Sequence, residues 1–247
     1  MTDREQEAID LINTHFNGTP YALYFSGGKD SVVVRHLLQR TGIDYAGVYR
    51  STGLEEDGVI EFIQKFTDIT ISDTDWAKMV RKEKILPTME YPYCCKKGRN
   101  RWNEYPDRMT ISGITEDEDS ARDVKTNIVM VNGKIQQIRP IYHWTLEERM
   151  SYIERYGLKH ISGSGKSRNC VVCLPHLIKE SKGTGHEYIE GEIRTTFPRF
   201  YETIRSMAYE SYSALKDDGF ELLAGTPEDY FRDWLNGKTL LGGVRSE

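Results

Sequence analysis

A chain of 247 residues with 38% hydrophobic and 29% charged residues is long enough for one large α/β domain, or one domain with an appendage. No run of about 18 apolar residues occurs, which excludes a helical membrane span. The charged start, Met1-Thr2-Asp3-Arg4-Glu5, does not read as a signal peptide, so a cytoplasmic setting is expected. The net charge of −5 excludes a global pull toward nucleic acid and leaves only local basic stretches, Lys96 to Arg101 and Lys159 to Arg168.

In chain order, residues 3–16 predict a helix, with Ala8, Ile9, Leu11, Ile12 and Phe16 as its apolar stripe. Tyr21 to Phe25 predicts a short buried strand, and the run from Val32 to Leu38 a helix ending near Gly42. Tyr45 to Tyr49 is the next strand. A loop carrying Thr52, Gly53 and Glu55 leads to a helix with Val59, Ile60, Phe62, Ile63 and Phe66 inward. Ile69 to Ile71 is a further strand, and Asp73 or Thr74 is expected to cap a helix starting near Trp76. Residues 96–105 suggest a short helix, and Arg108 to Gly113 a strand. An acidic stretch, Glu116 to Asp119, follows. The turn Asn132-Gly133 predicts a hairpin, and Thr145 and Gly157 bound a helix. The tail reads as mostly helical, with a last helix over about 227–236 that has Pro227 in its first turn. The alternation implies an α/β fold: a doubly wound, mostly parallel sheet of five or six strands with flanking helices and a helical C-terminal appendage. Residues 1–175 are expected to form the α/β domain and 176–247 the extension packed on it.

The most informative stretch is Ser26-Gly27-Gly28-Lys29-Asp30-Ser31, set between the first strand and the second helix. Paired glycines let backbone amides approach a bulky anion, and the first helical turn adds unpaired N–H groups. Lys29 supplies charge, and Ser26 and Ser31 supply hydroxyls. A solvated turn is the plain alternative. Neither the Walker A pattern nor the Rossmann glycine pattern is present.

The four cysteines fall in two pairs, Cys94-Cys95 and Cys170-x-x-Cys173. Adjacent cysteines bridge each other only with strain, but both can turn toward one metal. Four buried thiols, a structural zinc and an iron–sulfur centre are the competing readings.

The six residues from Ser26 to Ser31 resemble the Ser-Gly-Gly-x-Asp-Ser signature of the PP-loop pyrophosphatases. That resemblance implies an adenine nucleotide bound by its phosphates, with Lys29 and Asp30 in catalytic roles and Asp30 helping to hold Mg²⁺. The chain further resembles the phosphoadenosine phosphosulfate (PAPS) reductase family over roughly residues 18–175. Thr52-Gly53 looks like the family's second nucleotide loop. Gly113, Glu118 and Arg122 match the spacing of its Gly-x-Arg-x-x-Glu-Ser-x-x-Arg motif. Arg139 to Thr145 is similar to the segment that opens the family's next helix, with Trp144 read as core packing. The cysteine pattern resembles that of the adenylyl-sulfate reductases and implies a 4Fe–4S cluster on Cys94, Cys95, Cys170 and Cys173.

Two departures shape the function expected. Thr115 and Asp119 replace the motif's first arginine and its serine, and threonine cannot reproduce bidentate recognition of sulfate or phosphate. No cysteine follows Cys173, so none remains as the sulfur nucleophile of the assimilatory reductases. The expectation is therefore an enzyme that binds ATP, activates a target by adenylylation with loss of pyrophosphate, and serves sulfur transfer with a nucleic-acid or protein partner. The alternatives are a reductase of adenylyl sulfate or PAPS, and a nucleotide-binding regulatory protein with a structural cluster. Arg168 in the basic loop could face the target, and His176 could line the site, with a histidine on a packed surface as its plain alternative; the oligomeric state is not legible.

Overall fold

The computed structural model describes residues 2–55, 57–73, 75–88, 91, 93–94, 105, 107–118, 125–161, 190–191, 193–195, 198–238 and 240–241. The chain sorts into two compact units. The first comprises 1–51, 57–73 and 102–168, and the second 52–56, 74–101 and 169–247.

The first unit is built on six strands. These are β1 (Tyr21–Tyr24), β2 (Tyr45–Ser51), β3 (Ile69–Asp73), β4 (Thr110–Ile111), β5 (Ile128–Val131) and β6 (Lys134–Ile138), in the spatial order β3-β2-β1-β4-β6-β5. All pairs are parallel except β5 with β6, the hairpin turning at Asn132-Gly133, both at positive φ. The chain runs outward from β1 to β2 to β3, then returns to the other side of β1 as β4. The carboxyl ends of β1 and β4 therefore form the switch point at which open α/β sheets receive ligands.

Helices α1 (Asp3–His15), α2 (Lys29–Thr41) and α5 (Leu146–Tyr156) belong to this unit, as does the short α3 (Val59–Ile63). Tyr21 and Leu23 of β1, Tyr49 of β2, Ile111 of β4 and Ile138 of β6 join Ala8, Ile12, Val33, Leu37 and Ile153 in one buried cluster. Burying each large side chain of this set contributes about 1.5–3 kcal/mol. The Tyr21 hydroxyl donates to the Ile12 carbonyl at 2.8 Å, and burial pushes that phenol up to about 12. Helix α2 ends on Gly42 in the left-handed region. Helix α5 starts with a capping box, Thr145 with Glu148, and ends on Gly157.

The second unit contains α4 (Trp76–Glu83), α6 (Pro198–Asp217) and α7 (Pro227–Leu235). Trp76, Val80, Leu86, Phe200, Ile204, Met207, Phe231 and Trp234 form its core. The Trp234 indole N–H donates to the Pro87 carbonyl at 2.8 Å, satisfying its one polar atom.

Three expectations are corrected. The cap of α4 is Asp75, whose side chain accepts from the Lys78 amide. Asp73 is instead the last residue of β3, paired with Ser51. Helix α3 stops at Ile63 because Lys65 and Phe66 donate back only three residues, which tightens the turn. The expected strand over 108–113 is two residues long, although the Ser112 amide adds one more ladder bond to Ile138. Residues 96–104 of the suggested short helix fall outside the described residues.

Candidate functional site: an anion cradle at the switch point

Strand β1 delivers the chain into Phe25, whose amide donates to the Val48 carbonyl at 2.9 Å and holds the strand end in the sheet. Gly27 then takes φ +76°, a conformation that costs glycine little and other residues more. Its carbonyl accepts from the Ile161 amide at 2.8 Å, so the segment after α5 is fastened to the turn. Gly28 is the N-cap of α2, and it leaves the start of the helix without a side-chain cap.

The serines tie the turn together. Ser31 Oγ donates to the Gly28 carbonyl at 2.9 Å, Ser26 Oγ donates to Ser31 Oγ at 3.1 Å, and the Gly28 amide donates to Ser26 Oγ at 3.3 Å. The hydroxyls thus pre-form the cradle, and the amide end of a 13-residue helix lies at its mouth.

Gly113, just beyond β4, meets this helix end. A Cβ placed on it would stand 2.7 Å from the carbonyl carbon of Asp30. Only glycine lets the two backbones approach so closely, which accounts for a glycine at this position.

Asp30 is held between two cations. Lys29 Nζ lies 2.8 Å from Oδ2, and Arg149 Nη1 donates to Oδ1 at 2.8 Å. Arg149 is fully buried and reaches four acceptors. Its Nε donates to the Thr145 carbonyl at 3.1 Å, Nη1 also donates to Thr115 Oγ1 at 3.1 Å, and Nη2 donates to Asp117 Oδ2 at 2.8 Å. Burial alone would lower the Arg149 pKa, but its hydrogen bond and charge contact with Asp30, then those with Asp117, raise it above its ordinary value. Partial burial would raise Asp117. Hydrogen bonds from Thr115 and Arg149, with the Arg149 charge, instead hold its carboxyl below the usual range.

The structure thus brings Ser26, Gly27, Gly28, Lys29, Asp30, Ser31 and Gly113 together. Thr52 and Gly53 belong to the second unit, in a turn closed on Glu55, whose buried carboxylate accepts from the Thr52 amide and hydroxyl. Glu118 ends a 3-10 turn, Glu116–Glu118. Cys94 is half-buried against the core of the second unit. Cys95, Arg122, Arg168, Cys170, Cys173 and His176 lie outside the described residues. Among the described residues no group of three or more His, Cys, Asp or Glu is placed to hold a metal ion, and no helix is long and apolar enough to cross a membrane.

Sequence reasoning overlooked Arg149. The available signal was its spacing. Arg149, Tyr152 and Ile153 are the buried residues of α5, so a charge occupies the apolar stripe of that helix.

A strand, a glycine turn and a helix N-terminus at the switch point of a parallel sheet define an α/β protein with a candidate ligand site at that point. The family model of the phosphoadenosine phosphosulfate reductase domain matches residues 20–162, more than half of the chain, and the chain belongs to that family. An uncharacterized protein of Methanocaldococcus jannaschii is 27% identical over an alignment 168 residues long that covers 60% of this chain and 40% of the relative's own length. Among solved structures, the U34-tRNA thiolase NcsA of Methanococcus maripaludis with its [4Fe-4S] cluster shares the fold. It has a TM-score of 0.50 and 17% identity, over 82% of this chain and 77% of that one.

Proposed function

We propose that the chain is an ATP-using PP-loop enzyme that adenylylates an acceptor and releases pyrophosphate, in the service of sulfur transfer. The observation that carries this reading is the pre-formed cradle at the amide end of α2, with Lys29 beside it. The cradle amides and Ser26 would bind the phosphates of ATP, and Lys29 would offset charge on the leaving pyrophosphate. An acceptor oxygen attacks the α-phosphorus, a new P–O bond forms, and the bond to pyrophosphate breaks. The acceptor's proton passes to solvent. Family membership supports an adenine nucleotide as ligand. Thr115 supports ATP over a sulfonucleotide, since its hydroxyl is already engaged by Arg149 and offers no cationic fork.

Asp30 fits a magnesium ion as a single protein carboxylate, because such ions keep most of their shell as water and phosphate oxygens. When bound, magnesium would screen the phosphate charge. Both Asp30 oxygens already accept from Lys29 and Arg149, so the carboxylate reaches an ion through its remaining lone pairs.

Cys94, Cys95, Cys170 and Cys173 would hold a 4Fe–4S cluster, a reading supported by four paired thiols and by the fold shared with a cluster-bearing thiolase. In this reading residues 1–175 would form the nucleotide-binding α/β domain and 176–247 its helical C-terminal extension.

Pyrophosphate release from ATP by anaerobically purified protein is the test. Asp30→Ala should lower it by about 100-fold or more, as expected for loss of an electrostatic group in the site. Release of sulfite from adenylyl sulfate, with none of pyrophosphate from ATP, would instead favour the reductase. The same preparation should be brown and carry four irons per chain if the cluster is present. A colourless, zinc-loaded protein would sink that part alone.

A further inference from the structure

We infer that Arg149 is a positioning residue of the cradle: it holds and neutralises Asp30 so that a phosphate-bearing ligand can approach the amides of α2. This rests on the reading of the cradle as a phosphate site and goes beyond it, because Arg149 acts through Asp30 rather than on the ligand.

The difficulty it resolves is electrostatic. Asp30 lies in the first turn of α2, where a carboxylate suits the helix dipole. The same carboxylate repels an anion docking on those amides. Two cations flank it, and they differ in kind. Lys29 is 29% exposed and sits on a flexible stem, so it can swing from Asp30 to a phosphate oxygen. Arg149 cannot follow. It is 0% exposed, and its Nε and Nη2 are spent on Thr145 and Asp117. When Lys29 turns to the ligand, Arg149 remains as the counter-ion of Asp30. The exchangeable cation serves the ligand and the fixed one serves the fold.

Arg149 also ties together parts of the chain that are far apart. Thr115 and Asp117 follow Gly113, and Gly113 packs on the backbone of Asp30. One guanidinium from α5 thus fixes the segment after β4 and the start of α2 in a single network.

The test uses the full chain and inorganic pyrophosphate, titrated calorimetrically without divalent ions at low ionic strength. Arg149→Met should weaken binding by about tenfold or more, since an uncompensated carboxylate then faces the anion. The double variant Asp30→Asn with Arg149→Met should bind more tightly than Arg149→Met alone. A merely structural arginine would not show this rescue. Arg149→Lys keeps the charge but not the four-way donation, and should fall between wild type and Arg149→Met. If Arg149→Met does not fold, Arg149→Gln takes its place in the same pair. Wild-type affinity in Arg149→Met, or a double variant no better than the single, overturns the inference while leaving the cradle standing. A wild-type chain that binds no pyrophosphate overturns the cradle, and the inference with it.

Discussion

Glu5→Ala should lower the unfolding free energy by about 3 kcal/mol, the low end of the range for breaking a buried charge pair. Glu5 sits on α1 at 1% exposure, amid the apolar contacts of that helix. Its carboxylate accepts from Arg40 at 3.0 Å, from the Tyr156 hydroxyl at 2.9 Å and from Arg155. Removing it leaves Arg40 without this carboxylate. Arg155 is half exposed and recovers water, which limits the loss. Urea unfolding followed by circular dichroism would measure it, and a loss below about 1 kcal/mol would contradict the account.

The pH dependence has a definite sign. Burial by itself would raise the Glu5 pKa, but the hydrogen bonds from Tyr156 and Arg40 and the two arginine charges lower it below its ordinary value of 4.5. A depressed acid contributes stability above its unfolded pKa and loses it as pH falls through the folded value. Wild type should therefore lose stability below about pH 4.5 more steeply than Glu5→Gln.

Gly113→Ala is the second large effect. The added methyl would stand 2.7 Å from the carbonyl carbon of Asp30, 2.8 Å from its oxygen and 2.9 Å from its Cβ. The first two are backbone atoms of a helix start and cannot swing aside as a side-chain tip can. Overpacking of this kind costs about 1–3 kcal/mol, or a melting point lower by roughly 2–10 °C. Pyrophosphate affinity should fall along with it, because yielding by the start of α2 carries its amides away from the turn. Gly191→Ala, with no described residue within 4 Å of the added methyl, is the comparison expected to change little. Unaltered melting and binding in Gly113→Ala would show that the contact is slack.

The parts of this fold legible in sequence were those carried by short-range pattern. The strand, glycine pair and helix at the cradle, the Asn132-Gly133 hairpin and the Thr145 and Gly157 helix bounds all follow from local chemistry. The rest depends on which segments meet. A two-residue β4 offers little periodicity, and its identity comes from parallel neighbours on both sides. Buried charge was the other gap. Glu5 and Arg149 each occupy a buried position on the inner face of an amphipathic helix, and both look like ordinary surface residues until their partners, far along the chain, are in place. A charged residue in phase with an apolar stripe is the sign to look for.

The cradle itself is six consecutive residues, yet its completion is slow in the life of the chain. Asp30 waits for Arg149, 119 residues downstream, and Gly27 waits for Ile161. On a ribosome that interval is on the order of ten seconds. Until then the nascent segment holds a Ser26–Ser31 turn whose Asp30 carboxylate is answered by Lys29 alone of its two cations. Contacts of such long sequence separation also form late in refolding. The finished geometry of the turn is thus a property the first unit acquires only once these long-range contacts close, and pyrophosphate, the probe of the proposed phosphate site, would report that step.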